Sequence, residues 1–431
     1  MNIKIIPKKL HGTISAMPSK SHAHRVLIAQ KLAQLQGTEK REPLFIPDFS
    51  DDIKATKNCL TQLDKNKPYL NCKESGSTLR FLLPVAMAVK NHVTFMGSGK
   101  LPYRPISPLK EEMEAHGCRF IMGSSKQNDK YKEICTITGK LTPGQYRLPG
   151  NISSQFITGL LLALPLLDGD STLSLTTKLE SAGYVSLTID VLRDFGIRIL
   201  TETSEDGFPV YKISGRQTYS EPDGLSIEGD WSNAAFWLAC GALGGDIECT
   251  GLKLTSSQKD KAILDILEKM GAETNISVDM NGIAHASCRV HSTENSTDPG
   301  IIGTNVDVSQ TPDLVPVLAS VMSLAKGASM ITGAERLKIK ESDRLRTVFD
   351  FIYRLNGDIT YGGTGLSITG VPFLTGGEVE SHNDHRIAMA AAVASCGCRK
   401  PVIIKNAEAV KKSYPGFFDD FAALGGEVIR L

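Results

Sequence analysis

A chain of 431 residues is too long for one ordinary core and predicts two large globes. Its 48 basic residues against 47 acidic ones give no global field for nucleic acid or an anionic membrane, so a small anionic substrate recognised by local charge fits better than a polymer. The nine cysteines are scattered, and "SCGC" at 395–398 lacks CxxC spacing and nearby histidines, which argues against zinc or redox sites and for reduced structural thiols.

The chain opens with a strand in "NIKIIP" and then reads "MPSKSHAHRVLIAQKLA" at 17–33, where Leu27, Ile28, Leu32 and Ala33 lie near helical spacing. Ser21 suits the N-cap, Lys20 sits just outside, and Arg25, four residues on, shares the face of Ser21. A hydroxyl, an ammonium, a guanidinium and free backbone N–H groups suit a phosphate or carboxylate, although a cap alone explains the serine. The Lys-Ser pair lacks the glycines of GxxxxGK[ST], so this is not a P-loop.

In "ESGSTLRFLL" Gly76 sits where backbone must let a ligand approach, with Ser77 and Thr78 opening a helix and Arg80 in its first turn. "GKLPYRPISPLKEEM" fixes Arg104 between Pro102 and Pro105, so a stiff loop presents a guanidinium. "NISSQF" opens another helix with Ser153, Ser154 and Gln155. The following "FITGLLLALPLL", broken by Gly159 and Pro165, falls short of the roughly 18 residues of a membrane span. The start shows no signal-peptide core, and the expectation is a soluble, cytoplasmic protein.

A Pro/Gly turn in "EPDGLSIEGDWSN" at 221–233 marks a candidate domain boundary. "EGDWSNAAF" and "QTPDLVPVLA" open further helices, the second carrying Asp313. In "IKESDRLRTVFDFIYRLNG" the apolar positions Leu345, Val348, Phe349, Ile352 and Leu355 define a helix capped by Ser342. Lys340 and Glu341 end the preceding strand, and Arg344 lies in the first turn. Glu341 thus lies between two cations, and an acid/base role for it needs burial or a nearby anion to counter them. "NDHRIAM" sets His385 and Arg386 at a helix start, and "VKKSYPGFFDDF" sets Lys412 before a Pro turn. No spaced ligand set for a metal appears.

Two recurrences run through these elements. A helix, a glycine and a strand repeat as "MEAHGCRFI", "VLRDFGIRIL", "ILEKMGAETNI", "FIYRLNGDITY" and "FAALGGEVIRL", roughly 70 to 85 residues apart, which predicts a duplicated α/β module with glycine at the left-handed C′ position. Several helices also begin with a polar cluster that holds a cation. Cations at a helix N-terminus cost roughly 0.3 to 1 kcal/mol each by the dipole rule, so something anionic should offset Lys20, Arg25, Arg80, Lys340 and Arg344.

Together and in this order, "PSKSHAHR", "SGSTLR", "RPI", "SSQF", "KESDRL" and "NDHRIAM" resemble the 5-enolpyruvylshikimate-3-phosphate synthase family over essentially the whole chain. The resemblance implies an α/β, two-globe enolpyruvyl transferase fold, each globe built from three βαβαββ repeats. One globe would be residues 15–227 and the other 1–14 with 228–431. It implies transfer of the enolpyruvyl group of phosphoenolpyruvate to the 5-hydroxyl of shikimate-3-phosphate, by a monomer without cofactor or metal.

Carried onto this sequence, the family pattern puts shikimate-3-phosphate against Lys20, Ser21, Arg25, Ser153, Ser154, Gln155, Ser181, Asp313 and Lys340. Phosphoenolpyruvate falls against Lys20, Gly76, Arg104, Gln155, Arg344, Arg386 and Lys412. Asp313, Glu341 and Lys20 would carry proton transfer, with Asp313 as base. The chain departs from the common bacterial pattern at Glu74 and Ser75, where many members have Asn-Ala, at Phe81 for proline, and at Arg336 for asparagine. The sister transferase acting on UDP-N-acetylglucosamine usually has a cysteine where Gly99 stands, and a non-catalytic anion binder should have lost Asp313, Glu341 and Lys20. Both alternatives fit less well.

Overall fold

The helix-stopping glycines are where the backbone turns left-handed. Gly117 (φ +90°), Gly196 (+80°), Gly271 (+98°) and Gly425 (+94°) each lie between a helix and a strand. The remaining copy differs: the left-handed residue is Asn356 (φ +65°), a residue that tolerates this conformation better than most. A Cβ on Gly357 would stand 2.6 Å from Ile352 Cγ2, so that glycine serves close helix–strand packing.

The structure, a computed structural model, is described for residues 1–38, 40, 42, 44–47, 49–123, 131–290 and 300–431. After β1 (Ile3–Ile6) and β2 (His11–Ser15) come α1 (Lys20–Leu35), α2 (Asp51–Gln62), β3 (Tyr69–Asn71), α3 (Gly76–Val89), β4 (His92–Gly97), α4 (Leu109–Ala115), β5 (Cys118–Met122) and β6 (Lys132–Gly139). β3 lies parallel to β4, as a helical crossover requires, while β4 and β5 each pair antiparallel with β6, giving the order β3-β4-β6-β5. The next module repeats this: β7 (Gln145–Leu148), α5 (Ser154–Ala163), β8 (Ser171–Leu175), α6 (Ala182–Asp194), β9 (Ile199–Thr203) and β10 (Pro209–Ile213), in the order β7-β8-β10-β9.

Three more sheets share the topology. α7 (Trp231–Ala242), β11 (Asp246–Leu252), α8 (Ile263–Lys269), β12 (Glu273–Val278) and β13 (Ala284–Arg289) take their first, parallel strand from β2. β14 (Asn305–Asp307), α9 (Val315–Met322), β15 (Ala328–Thr332), α10 (Arg344–Arg354), β16 (Asp358–Gly362) and β17 (Gly365–Thr369) form a complete copy. β18 (Gly377–Glu380), α11 (His385–Ser395), β19 (Val402–Lys405), α12 (Phe417–Ala423) and β20 (Glu427–Arg430) take β1 as the missing strand, in the order β18-β19-β1-β20. Five βαβαββ sheets therefore stand among the described residues.

The chain divides into two compact units, 20–227 and 1–19 with 228–431. The resemblance places the first crossing near residue 14, but the chain stays with the second unit through Ser19. Pro18 bridges antiparallel to Gly229, and Ser19 N donates to Glu228 O at 2.8 Å. In the unit 20–227 two sheets are present among the described residues. There Gln36 Oε1 accepts from Tyr219 N at 2.9 Å, and Glu221 Oε1 accepts from Leu44 N at 3.0 Å.

Each unit has its own apolar core. In the first, α3 and α5 are buried on nearly every face, and they cross so closely that a Cβ on Gly159 would stand 2.6 Å from Arg80 O. That approach sets the entrances of the two helices beside each other. In the second, the alanine-rich α11 lies wholly buried in the core that also holds α9 and α7.

Candidate functional site

In the unit 20–227, α1 begins at Lys20 itself rather than after it. Lys20 Nζ bonds Asp52 Oδ2 at 2.9 Å, which gives the ammonium a fixed carboxylate partner on α2. Arg25 is 2% exposed, and every bond it makes is to a neutral acceptor: Thr188 Oγ1 (2.8 Å), Ser21 O (2.5 Å), Tyr184 O (2.9 Å) and Thr158 Oγ1 (3.3 Å). Its guanidinium also lies 5.0 Å from the centre of the Phe81 ring. Burial without a carboxylate partner pulls the Arg25 guanidinium down to about 9. A buried cation without counter-charge is costly, and an anion beside it offsets the cost.

His24 takes no part in this arrangement as an acid. Burial first, then the nearby Lys20 and Arg25, holds His24 well below the usual imidazole range, so it is neutral. Its Nδ1 pairs with Thr56 Oγ1 at 2.8 Å, and that hydroxyl with Thr78 Oγ1 at 2.6 Å, tying α1 to α2 and α3.

Ser75 caps α3 by accepting from Thr78 N, so the helix opens at Gly76, one residue before the expected opening at Ser77. The Arg104 guanidinium lies over Gly76: a Cβ there would stand 2.7 Å from one of its nitrogens and 3.1 Å from its carbon. Arg80 Nη1 donates to Gln155 Oε1 at 2.7 Å and Nη2 to Pro105 O at 3.1 Å, while Gln155 Nε2 donates to Ser77 Oγ at 2.9 Å. Arg80 thus braces the Arg104 loop and the entrance of α5 together. Ser153 caps α5 through Gln155 N, and Ser154 starts it. Ser181, buried before α6, is left-handed (φ 52°, ψ 42°), a strained conformation of the kind stored at binding sites.

The second unit holds a balanced cluster. Arg344, its side chain 2% exposed, reaches three carboxylates: Asp313 Oδ1 at 2.8 Å, Glu341 Oε2 at 2.7 Å and Asp384 Oδ2 at 2.8 Å. Asp313, in a 3₁₀ turn before α9, also faces Lys340 at 3.6 Å and Arg386 at 3.3 Å. Burial alone would raise the Asp313 carboxyl, but Arg386, Lys340 and Arg344 hold it well below the usual range. Lys340 is in turn lowered by burial. Lys412 Nζ donates to Asn383 O at 2.7 Å, in the turn that leads into α11.

Two local expectations need correction here. Lys340 and Glu341 follow a 3₁₀ turn, Glu335–Ile339, rather than a strand. The cap of α10 is Asp343, which accepts from Arg346 N, because the Ser342 hydroxyl is turned to Asp384 Oδ2 at 2.9 Å. Arg336, left without a role by the sequence, donates to Ser309 O at 2.9 Å.

Three carboxylates escaped the sequence reading. Asp384, 0% exposed, caps α11 through Arg386 N at 3.0 Å while holding Arg344. Its place in "NDHRIAM" before a helix was the signal. Asp52 partners Lys20. Asp260, buried against the Ser232 hydroxyl, is pushed up to about 6 by burial and then by Asp313.

A family model described as EPSP synthase (3-phosphoshikimate 1-carboxyvinyltransferase) matches residues 5–421. The chain belongs to the EPSP synthase family. Its 3-phosphoshikimate 1-carboxyvinyltransferase relative in Clostridium kluyveri is 41% identical over 445 residues, covering 99% of this chain and 98% of the relative. The one in Clostridium perfringens strain 13 is 40% identical over 443 residues, with 98% of each covered. Among solved structures, EPSP synthase from Acinetobacter baumannii matches with a TM-score of 0.74 at 23% identity over 100% of both chains. The enolpyruvyl transferase NikO from Streptomyces tendae matches at 0.69 and 15% identity, over 99% of this chain and 98% of that one. These two likenesses establish the enolpyruvyl transferase fold; membership of the EPSP synthase family rests on the closer sequence matches. Among the described residues no helix is long and apolar enough to cross a membrane.

Proposed function

We propose that the chain, as its family implies, joins phosphoenolpyruvate to the 5-hydroxyl of shikimate-3-phosphate and releases phosphate. The observation that carries this reading is Asp313: a partly buried carboxylate kept ionised by three cations, with Glu341 on the same arginine. Arg25 and the serines 21, 153, 154 and 181 hold the shikimate phosphate, while Lys340 and Asp313 hold its ring hydroxyls. Lys20, Gly76, Arg104, Gln155, Arg344, Arg386 and Lys412 hold phosphoenolpyruvate. Arg344 spends four of its five N–H donors on carboxylates and has one left for this.

In the reaction the hydroxyl oxygen bonds to C2 of phosphoenolpyruvate while C3 gains a proton. C3 then loses a proton as the C2–O bond to phosphate breaks and the double bond re-forms. Asp313 takes the hydroxyl proton. With three cations around it the carboxylate is a weak base, and bound polyanions that engage Arg386 and Lys340 draw off part of their field and raise its basicity. Glu341 and Lys20 exchange the proton at C3, and the arginines stabilise the departing phosphate. The protein acts as a cytoplasmic monomer; sedimentation of the purified chain checks the monomer. Phosphate release that needs both substrates tests the reaction.

A further inference from the structure

The turn into α3 carries an acid for which the proposed reaction has no use. Lys73 is left-handed (φ +49°), its N–H donates to Asn71 Oδ1 at 3.0 Å, and Ser98 N donates to Lys73 O at 2.7 Å. These bonds tie the turn at 71–75 to the loop that runs from Gly97 to Arg104. Glu74, between the two, lies against Gly99: a Cβ built on Gly99 would stand 2.6 Å from Glu74 Cδ and 2.8 and 2.9 Å from its two oxygens. Gly99 is itself left-handed (φ +57°), a conformation that favours glycine, and the carboxylate end of Glu74 lies over it. Two residues after Glu74, Gly76 carries the Arg104 guanidinium. One pair of chain segments therefore holds a cation cradle and a carboxylate.

An acid before an N-cap gains a little from the helix dipole, which accounts for its sign but not for its placement on the loop of Arg104. We propose that Glu74 is a specificity-determining residue of the phosphoenolpyruvate half-site, whose negative charge weakens the hold of the Gly76–Arg104 cradle on anions and so sets their exchange. The inference rests on the function proposed above. A unit charge several ångströms from a part-screened anion changes affinity by a factor on the order of three to thirty at intermediate dielectric.

Glu74→Gln keeps the shape of the side chain and removes the charge. With shikimate-3-phosphate saturating, the variant should lower KM for phosphoenolpyruvate by at least about threefold. Competitive inhibition by inorganic phosphate should tighten by a similar factor, and log KM should depend more steeply on log salt. KM for shikimate-3-phosphate should stay as in the parent. An unchanged or higher KM for phosphoenolpyruvate, with phosphate inhibition unmoved, overturns the proposal. Calorimetric titration with inorganic phosphate reads the same charge effect without turnover: tighter binding to E74Q supports it, and equal binding overturns it. A parent chain that releases no phosphate from the substrate pair overturns the functional reading alone.

Discussion

Arg344 and Asp384 form a buried pair: Nε lies 2.8 Å from Oδ2 and Nη2 3.3 Å from Oδ1, with side-chain exposures of 2% and 0%. The same carboxylate accepts from Ser342 Oγ and from Arg386 N. One aspartate thereby orients the Arg344 guanidinium and caps the helix that carries Arg386, both of them arginines proposed to hold phosphoenolpyruvate. Asp384→Ala leaves Arg344 with two carboxylates and an unfilled side, and removing one partner of a buried pair costs about 3 to 5 kcal/mol. The two remaining partners soften this, so a loss of about 2 to 4 kcal/mol in denaturant unfolding is expected, with a higher KM for phosphoenolpyruvate. Asp384→Asn should recover most of the stability and little of the KM.

Arg25 has the opposite surroundings, since all its partners are neutral. A bound phosphate supplies the counter-charge, with each charge-assisted bond contributing roughly 1.5 to 3 kcal/mol. Shikimate-3-phosphate should therefore raise the Tm of the parent by mass action. Arg25→Ala should abolish most of that rise and increase KM for shikimate-3-phosphate at least about tenfold, matching the loss of one such bond. An undiminished Tm rise in the variant would remove Arg25 from the phosphate site.

Asp260 gives a pH dependence with a definite sign. Its folded carboxyl is raised from 3.8 to about 6, so the native state binds the proton more tightly than the unfolded chain. The group imposes no penalty below about pH 4, loses stability as pH rises from about 4 to about 6, and costs a constant amount above that. At about 1.4 kcal/mol per unit, the cost near pH 8 is about 3 kcal/mol. Asp260→Asn keeps an acceptor for Ser232 and should be more stable than the parent at pH 8 by about 1 to 3 kcal/mol, with the difference shrinking toward pH 4. Urea unfolding at the two pH values measures it; a difference that does not change with pH contradicts the shift.

Asp313→Ala should lower kcat by a factor on the order of 10² to 10⁴, as loss of a general base does. Because Arg344, Arg386 and Lys340 all face this carboxylate, the alanine variant also releases three cations. Asp313→Asn separates the effects: a kcat as low as that of alanine, with KM for shikimate-3-phosphate near the parent value, assigns the loss to proton transfer. A kcat near that of the parent refutes the role.

Much of this was legible because it is local. Ser153 before α5 declares a helix entrance in its own tripeptide, and the cations beside the entrances raised the question of an anion. What stayed hidden depends on distance along the chain. Nothing in "NDHRIAM" says that Asp384 reaches Arg344, 40 positions away, or that it draws Ser342 out of its cap. The duplicated module is visible in its glycines, yet one repeat turns left-handed at Asn356 and not at Gly357, since either residue can end a helix. That β1 and β2 complete sheets begun far downstream follows from pairing registers that a short strand does not encode.

The most direct measurement is phosphate release by the purified chain with shikimate-3-phosphate and phosphoenolpyruvate together, with each alone, and with UDP-N-acetylglucosamine in place of the shikimate. Release with the first pair only, at a rate that collapses in Asp313→Asn, is the predicted result. Release that requires UDP-N-acetylglucosamine, or none under any condition, would contradict the account.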